Sequence, residues 1–276
     1  MAGTKSQSRS KLKLLLATVS VLSSTFSYLS PVLAEPEQKV TSSYNTSSYK
    51  QIQIHFIPAN SDLPNRGTPP AKHGTGSRGD CSYNQEFPPL TSLTGGRNLQ
   101  LTLNEHPTFW FYVPYSSEHA TSGQFSLQDQ DGENDIYRVD VQPPPQPGIV
   151  SISLPSTETS LEVDKTYRWN LEINCHTSDS SEPTAAAVTG IVKRISPSGE
   201  LQQQLNAAKT PIERITVYAR HHIWHETLNE LAQLRLRKPQ ASTLENAWVE
   251  LLKDEHVGLE NIANEPIIGT LENSSQ

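Results

Sequence analysis

Carboxylates are missing from the first 34 residues of this 276-residue chain: Lys5, Arg9, Lys11 and Lys13 all precede the first acidic position, Glu35. Cysteine is scarce, with only Cys81 and Cys175, and neither sits in a CxxC pair. That excludes a disulfide-dense scaffold and a cysteine-rich zinc module. Charged residues make up 18% of the chain and hydrophobic ones 34%, and a single long apolar stretch, at the N-terminus, excludes a polytopic membrane protein. A segregated basic patch is also lacking. Beyond residue 34 the chain carries 18 basic against 29 acidic residues, a net −11, which repels a phosphate backbone and argues against nucleic-acid binding. GxSxG, HExxH and GxxxxGK[ST] are absent, so no nucleophile elbow, zincin helix or P-loop is legible.

What is present begins with an address. A basic start, an apolar stretch over residues 14–33 diluted by Ser and Thr, and Val32-Leu33-Ala34 with small residues at −3 and −1 read as a secretory signal cleaved after Ala34. The expectation is export to the periplasm or beyond, with no membrane span after cleavage and no lipid anchor. In an oxidising compartment, two cysteines and no third point to a Cys81–Cys175 disulfide, two independent buried thiols being the alternative. Residues 35–64 read as a flexible polar tether, with 51–57 alternating weakly as an edge strand. Residues 65–98 form a Gly/Pro-rich loop region.

From 99 to 196 the signals are strands. Leu99, Leu101 and Leu103 alternate, and Pro107-Thr-Phe-Trp-Phe-Tyr-Val-Pro114 suits a short strand buried on both faces. Residues 125–141 read as a hairpin with an acidic tip, and 149–154 as a further strand. Tyr167, Trp169, Leu171, Ile173 and Cys175 share one face at period two. The Leu161…Tyr167 spacing matches the tyrosine corner of immunoglobulin-like sandwiches. The fold class expected is α+β: an antiparallel, immunoglobulin-like β-sandwich followed, over 197–270, by a small helical hairpin or bundle. Capping boxes are expected at Thr210…Glu213 and Ser242…Glu245. The last helix presents Leu244, Ala247, Trp248, Leu251 and Leu252 on one face, with Gly258 as a stop, and His221-His222 reads as a turn between helices. Spacing from His222 to Pro239 resembles half of a tetratricopeptide repeat, too little for a solenoid.

Taken in order, the Gly/Arg loop ending at Cys81, Pro107 to Pro114, Tyr167-Arg-Trp169 leading to Cys175, Val188-Thr-Gly-Ile-Val192, Ile223-Trp224 with Leu228, Leu231 and Leu234, and Trp248-Val-Glu-Leu-Leu252 resemble the cyanobacterial domain of unknown function 928 family over about residues 66–270. The resemblance implies an exported protein and assigns no catalytic residue. Family members favour Gly-Ile-Trp-Tyr-Asp where this chain has His222-Ile-Trp-His-Glu226.

His221, His225 and Glu226 form the candidate metal cluster. His221 and His225 share a face only on an unbroken helix, and the expectation is solvated histidines with no required cofactor. The carboxylates Asp129, Asp131, Glu133 and Asp135 lack an EF-hand register and read as a solvated turn. The functional expectation is a non-catalytic binding or assembly module of the cell envelope, engaging a protein partner through an apolar groove around Trp224 and Trp248. The alternative is a secreted hydrolase whose site has no sequence signature.

Overall fold

The period-two pattern of residues 167–175 is realised in full: β7 (Thr166–Cys175) alternates half-exposed and buried positions along its whole length. The computed structural model describes residues 52–59, 81, 87–96, 99–175 and 184–274, all within the compact unit Tyr49–Gln276. The leader, its cleavage site, residues 35–51 of the tether and the Gly-rich stretch 65–80 lie outside the described residues.

The remaining strands are β1 (Thr91–Ser92), β2 (Leu99–Thr102), β3 (Thr108–Val113), β4 (Ala120–Asp129), β5 (Asp135–Val141), β6 (Gly148–Ser153), β8 (Thr184–Arg194) and β9 (Ile267–Thr270). The helices are α1 (Gly199–Ala207), α2 (Pro211–Arg220), α3 (Trp224–Arg237) and α4 (Ser242–Lys253). The architecture is α+β. One sheet has the order β1-β3-β6-β9 and the other β2-β8-β7-β4-β5. Both are mixed, which corrects the all-antiparallel expectation: β2 runs parallel to β8 and β9 parallel to β6. Each parallel pair joins strands separated by most of a sheet or by the helices, and a long crossover permits the parallel sense that a hairpin forbids.

β3 shows why its six residues are apolar on both faces. Phe109 and Phe111 turn toward the five-stranded sheet, with Phe109 5.1 Å from Phe125 and Phe111 5.5 Å from Trp169 between ring centres. Trp110 and Tyr112 turn the other way, into a second core with Ile215, Trp224, Leu231, Trp248 and Leu251 of the helices. The four-stranded sheet is therefore a middle layer with a sheet on one side and helices on the other, and a middle layer has no solvent face to alternate toward. Close packing between the outer sheet's strands is set at Gly190, where an added Cβ would lie 2.2 Å from Cζ2 of Trp169.

The tether expectation changes at its end. Residues 52–59 adopt no strand, but Ile54 and Phe56 are buried in the helical core, and the Ile57 N–H donates to the Ala219 carbonyl at 3.2 Å. The weak alternation of Ile52, Ile54 and Phe56 reflects one packed face, without the ladder of an edge strand.

Two seams close the gap between the sheets. After β9 the chain crosses to the other sheet's edge, where Asn273 bridges Val141, and the Ser274 N–H donates to the Asp140 carbonyl at 2.9 Å. The first turn of α3 makes the second seam.

Candidate functional site

The histidine segment is broken where the sequence suggested a turn. His221 caps α2 and His222 takes φ 65°. The Ile223 N–H donates to the Tyr218 carbonyl at 3.0 Å and the His222 N–H to the Ala219 carbonyl at 3.4 Å. This pair of bonds, with a left-handed residue after the cap, is the Schellman ending that normally recruits glycine. A side chain at position 222 is strained there by about 1 kcal/mol. His222 gains some compensation, since its Nδ1 lies 2.7 Å from the Ile57 carbonyl.

Because the helix is broken, His221 and His225 do not share a face. His221 Nε2 lies 3.1 Å from Gln204 Oε1 of α1. His225 is buried, its ring edge-on to Phe109 at 5.1 Å and its Nδ1 3.0 Å from the Thr108 carbonyl of β3. A carbonyl only accepts, so Nδ1 carries the proton. Burial pushes the imidazole pKa down to about 4, because the surrounding core cannot solvate a cation.

Glu226 turns to the other sheet. Its Oε1 accepts from Thr102 Oγ1 at 2.8 Å and from the backbone N–H groups of Leu103 and Asn104, both at 3.0 Å. The residue is partly exposed as a whole, but Oε2 is buried and has no hydrogen-bond partner. Burial raises the carboxyl pKa, against the lowering effect of those bonds. Adjacent residues thus clasp both sheets: His225 holds β3 of the middle layer and Glu226 holds the end of β2 of the outer one. The arrangement is mechanical, and among the described residues no group of three or more potential metal-ligating side chains converges.

Trp224 and Trp248, expected to line a partner groove, are 1% and 0% exposed. The Trp224 Nε1–H donates to the Leu93 carbonyl at 2.8 Å, and its ring meets Phe56 at 4.8 Å. Gly95 lies so close that an added Cβ would sit 2.3 Å from Trp224 Cε3. Trp248 is roofed by the Arg235 guanidinium, 5.1 Å from its ring centre, which also pairs with Glu245. Neither indole presents a surface. The apolar groove expected around Trp224 and Trp248 is filled by the middle sheet and by residues 52–59, and only the distant packing partners reveal this.

Cys81 and Cys175 are joined, with Cα atoms 5.3 Å apart and a sequence separation of 94. Both are buried, Cys175 at the end of β7. Nearby in sequence, the Glu162 N–H donates to the Tyr167 hydroxyl at 2.9 Å, the back-bond that the Leu161…Tyr167 spacing anticipated. The acidic hairpin tip is an Asp-led turn. Asp129 accepts from Asn134 Nδ2 at 2.6 Å and from the Glu133 N–H at 2.9 Å, and the Asn134 bond is the main cause of its lowered pKa.

One contact has the composition of a hydrolytic dyad. Ser116 Oγ lies 2.8 Å from His119 Nδ1 in the turn between β3 and β4. The pair is three residues apart. Ser116 Oγ also accepts the Glu118 N–H, and the Ser116 carbonyl accepts from the N–H groups of His119 and Ala120. It closes a local turn, with Nδ1 used where a triad would present Nε2 to the serine.

No described helix is long and apolar enough to cross a membrane. No curated protein and no solved structure matches the chain. The family model described as Domain of Unknown Function (DUF928) matches residues 73–267, a span that takes in Cys81, the tryptophans of β3 and β7, and the α3 clasp, and the chain belongs to that family.

Proposed function

We propose that this chain is an exported protein of the cell envelope whose folded body is a non-catalytic binding or assembly module. The observation that carries the reading is the use made of the chemically capable residues: His225 is committed to the Thr108 carbonyl of β3, and Glu226 to Thr102 at the end of β2 and the backbone just after it. A buried disulfide tying Cys81 to β7 supports export, since such a bond persists in an oxidising compartment. We read the two facing sheets, with the Tyr167 corner, as an immunoglobulin-like sandwich, and α2 with α3 as a helical hairpin docked upon it.

Because the Trp224 and Trp248 rings are internal, this reading assigns no binding surface to them. The second reading, a secreted hydrolase, rests on the Ser116–His119 contact alone. One comparison separates the two. The oxidised protein is tested against ester, peptide and glycoside substrates, and used as bait in envelope extracts beside a His119→Ala control. Specific retention of an envelope component without turnover supports the module. Turnover abolished by His119→Ala overturns it in favour of the hydrolase. Retention of nothing, together with absence from the exported fraction, removes both the binding and the export claims.

A further inference from the structure

Two residues that each carry a buried, unpartnered polar atom line the same small cavity. The His225 Nε2 and Trp169 Nε1 atoms are both buried and neither has a hydrogen-bond partner in the protein. Their residues, 7% and 2% exposed, line one cavity of about 10 Å³ together with Thr94, Gln100, Phe109 and Trp224. An unsatisfied buried donor or acceptor has lost its solvation with nothing in return, so leaving two of them in one cavity is unfavourable.

Their chemistry is complementary but cannot be joined directly. The indole Nε1–H only donates. With its Nδ1 proton held by the Thr108 carbonyl, the imidazole presents a lone pair at Nε2 and only accepts there. A molecule that both accepts and donates satisfies the pair, and a cavity of roughly 10–15 Å³ is the space that one water requires. A larger alcohol does not fit that volume, and a bare ion cannot both accept and donate.

We infer that this cavity is a binding site for one structural water, accepting from Trp169 Nε1–H and donating to His225 Nε2. The water completes the α3 clasp. His225 already holds β3 through Nδ1, and the water extends that hold through the sandwich to β7 of the outer sheet. Trp169 thereby becomes part of the helix–sheet junction as well as of the core.

The test is NMR on the oxidised, ¹⁵N-labelled full chain near neutral pH. The expected result is that the Trp169 indole proton, assigned by its loss in Trp169→Phe, shows cross-peaks to the water line with opposite signs in NOE and ROE spectra, the mark of a long-lived bound water. His225 is expected as the Nδ1–H tautomer. Absence of the indole–water cross-peaks, or a proton on Nε2, overturns the proposal. Trp169→Phe supplies a second reading, because it keeps a ring and removes the donor. A bridging water requires the His225 Nε2 shift to move in that variant, and an unchanged shift also overturns the bridge. Should the variant fail to fold, the wild-type cross-peaks and tautomer decide the matter.

Discussion

A single carboxylate shows how little charge has to do with the clasp. Glu226 Oε1 is the shared acceptor for Thr102, Leu103 and Asn104, while burial disfavours the ionised form. Glu226→Gln keeps an acceptor oxygen and removes the charge, so it is expected to leave stability within about 1 kcal/mol of wild type. Glu226→Ala strands three donors and is expected to cost about 2–4 kcal/mol. Urea denaturation of both variants checks the order. The raised carboxyl pKa has a definite sign. Stability from protonated Glu226 is fully present below the ordinary 4.5 and is lost as pH rises through the folded value. The Gln variant should therefore gain on wild type as pH is raised toward neutrality. His225 runs the opposite way. Its folded pKa is depressed from 6.5 to about 4, so its contribution is complete above 6.5 and is lost as pH falls toward 4. Over that window the unfolded chain takes up a proton that the folded ring refuses, a slope of about 1.4 kcal/mol per pH unit. Urea midpoints between pH 7 and 4 should show this slope, and His225→Gln should remove it.

At the scale of an element, the α2–α3 junction is governed by one backbone angle. His222 sits at φ 65°, where a Cβ is strained and glycine is not. His222→Gly relieves that strain and gives up the contact with the Ile57 carbonyl, so its net effect is expected to be small. His222→Ala gives up the same contact and keeps the strain, so it is expected to melt lower than the glycine variant, by about 1 kcal/mol in stability. Thermal melts of the pair check the ordering, and an alanine variant as stable as the glycine one would refute the strain argument. The helix caps divide in the same local way. Thr210 and Glu213 make both bonds of the anticipated box. Ser242 does not, because Ala241 already supplies the capping carbonyl to Leu244 and Glu245, which places Ser242 inside the helix. The end of α4 comes earlier than Gly258 suggested: Asp254 is the C-cap, and the positive φ of Gly258 belongs to the turn that follows.

Across the whole molecule, the bridge between Cys81 and Cys175 constrains the largest loop. Closing 94 residues in the unfolded chain is worth about 4–5 kcal/mol on the entropic model. Replacing both cysteines by serine is expected to lower the urea midpoint by a corresponding amount. Reductant without denaturant is expected to act slowly, since both residues are buried. Mass spectrometry of the non-reduced, denatured chain should show two protons fewer than the reduced one. Two freely alkylated thiols would refute the bridge.

The longer strands and the helices were legible from short-range pattern, whereas β1 and β9 fall in segments read as loop and as helix. Period two over 167–175, the apolar run from Phe109 to Val113 and the Thr210 box each depend on residues within a few positions of one another, and local sterics and hydrogen bonding act at that range. The family was legible too, because its signature is an ordered set of such local motifs. What Trp224, Trp248, His225 and Glu226 do was decided by tertiary structure alone. On a helix the tryptophans look like an open apolar face, and the His-Glu pair looks like ligands or solvated charges. The partners of Trp224, His225 and Glu226 are Leu93, Phe56, Thr108 and Thr102, lying more than a hundred residues earlier, and Trp248 belongs to the same core as Trp110 and Tyr112 of β3. No periodicity spans that distance. The middle sheet, buried on one side by strands and on the other by helices, turns a face that reads as a groove into a core, and turns two chemically suggestive side chains into fasteners between its layers.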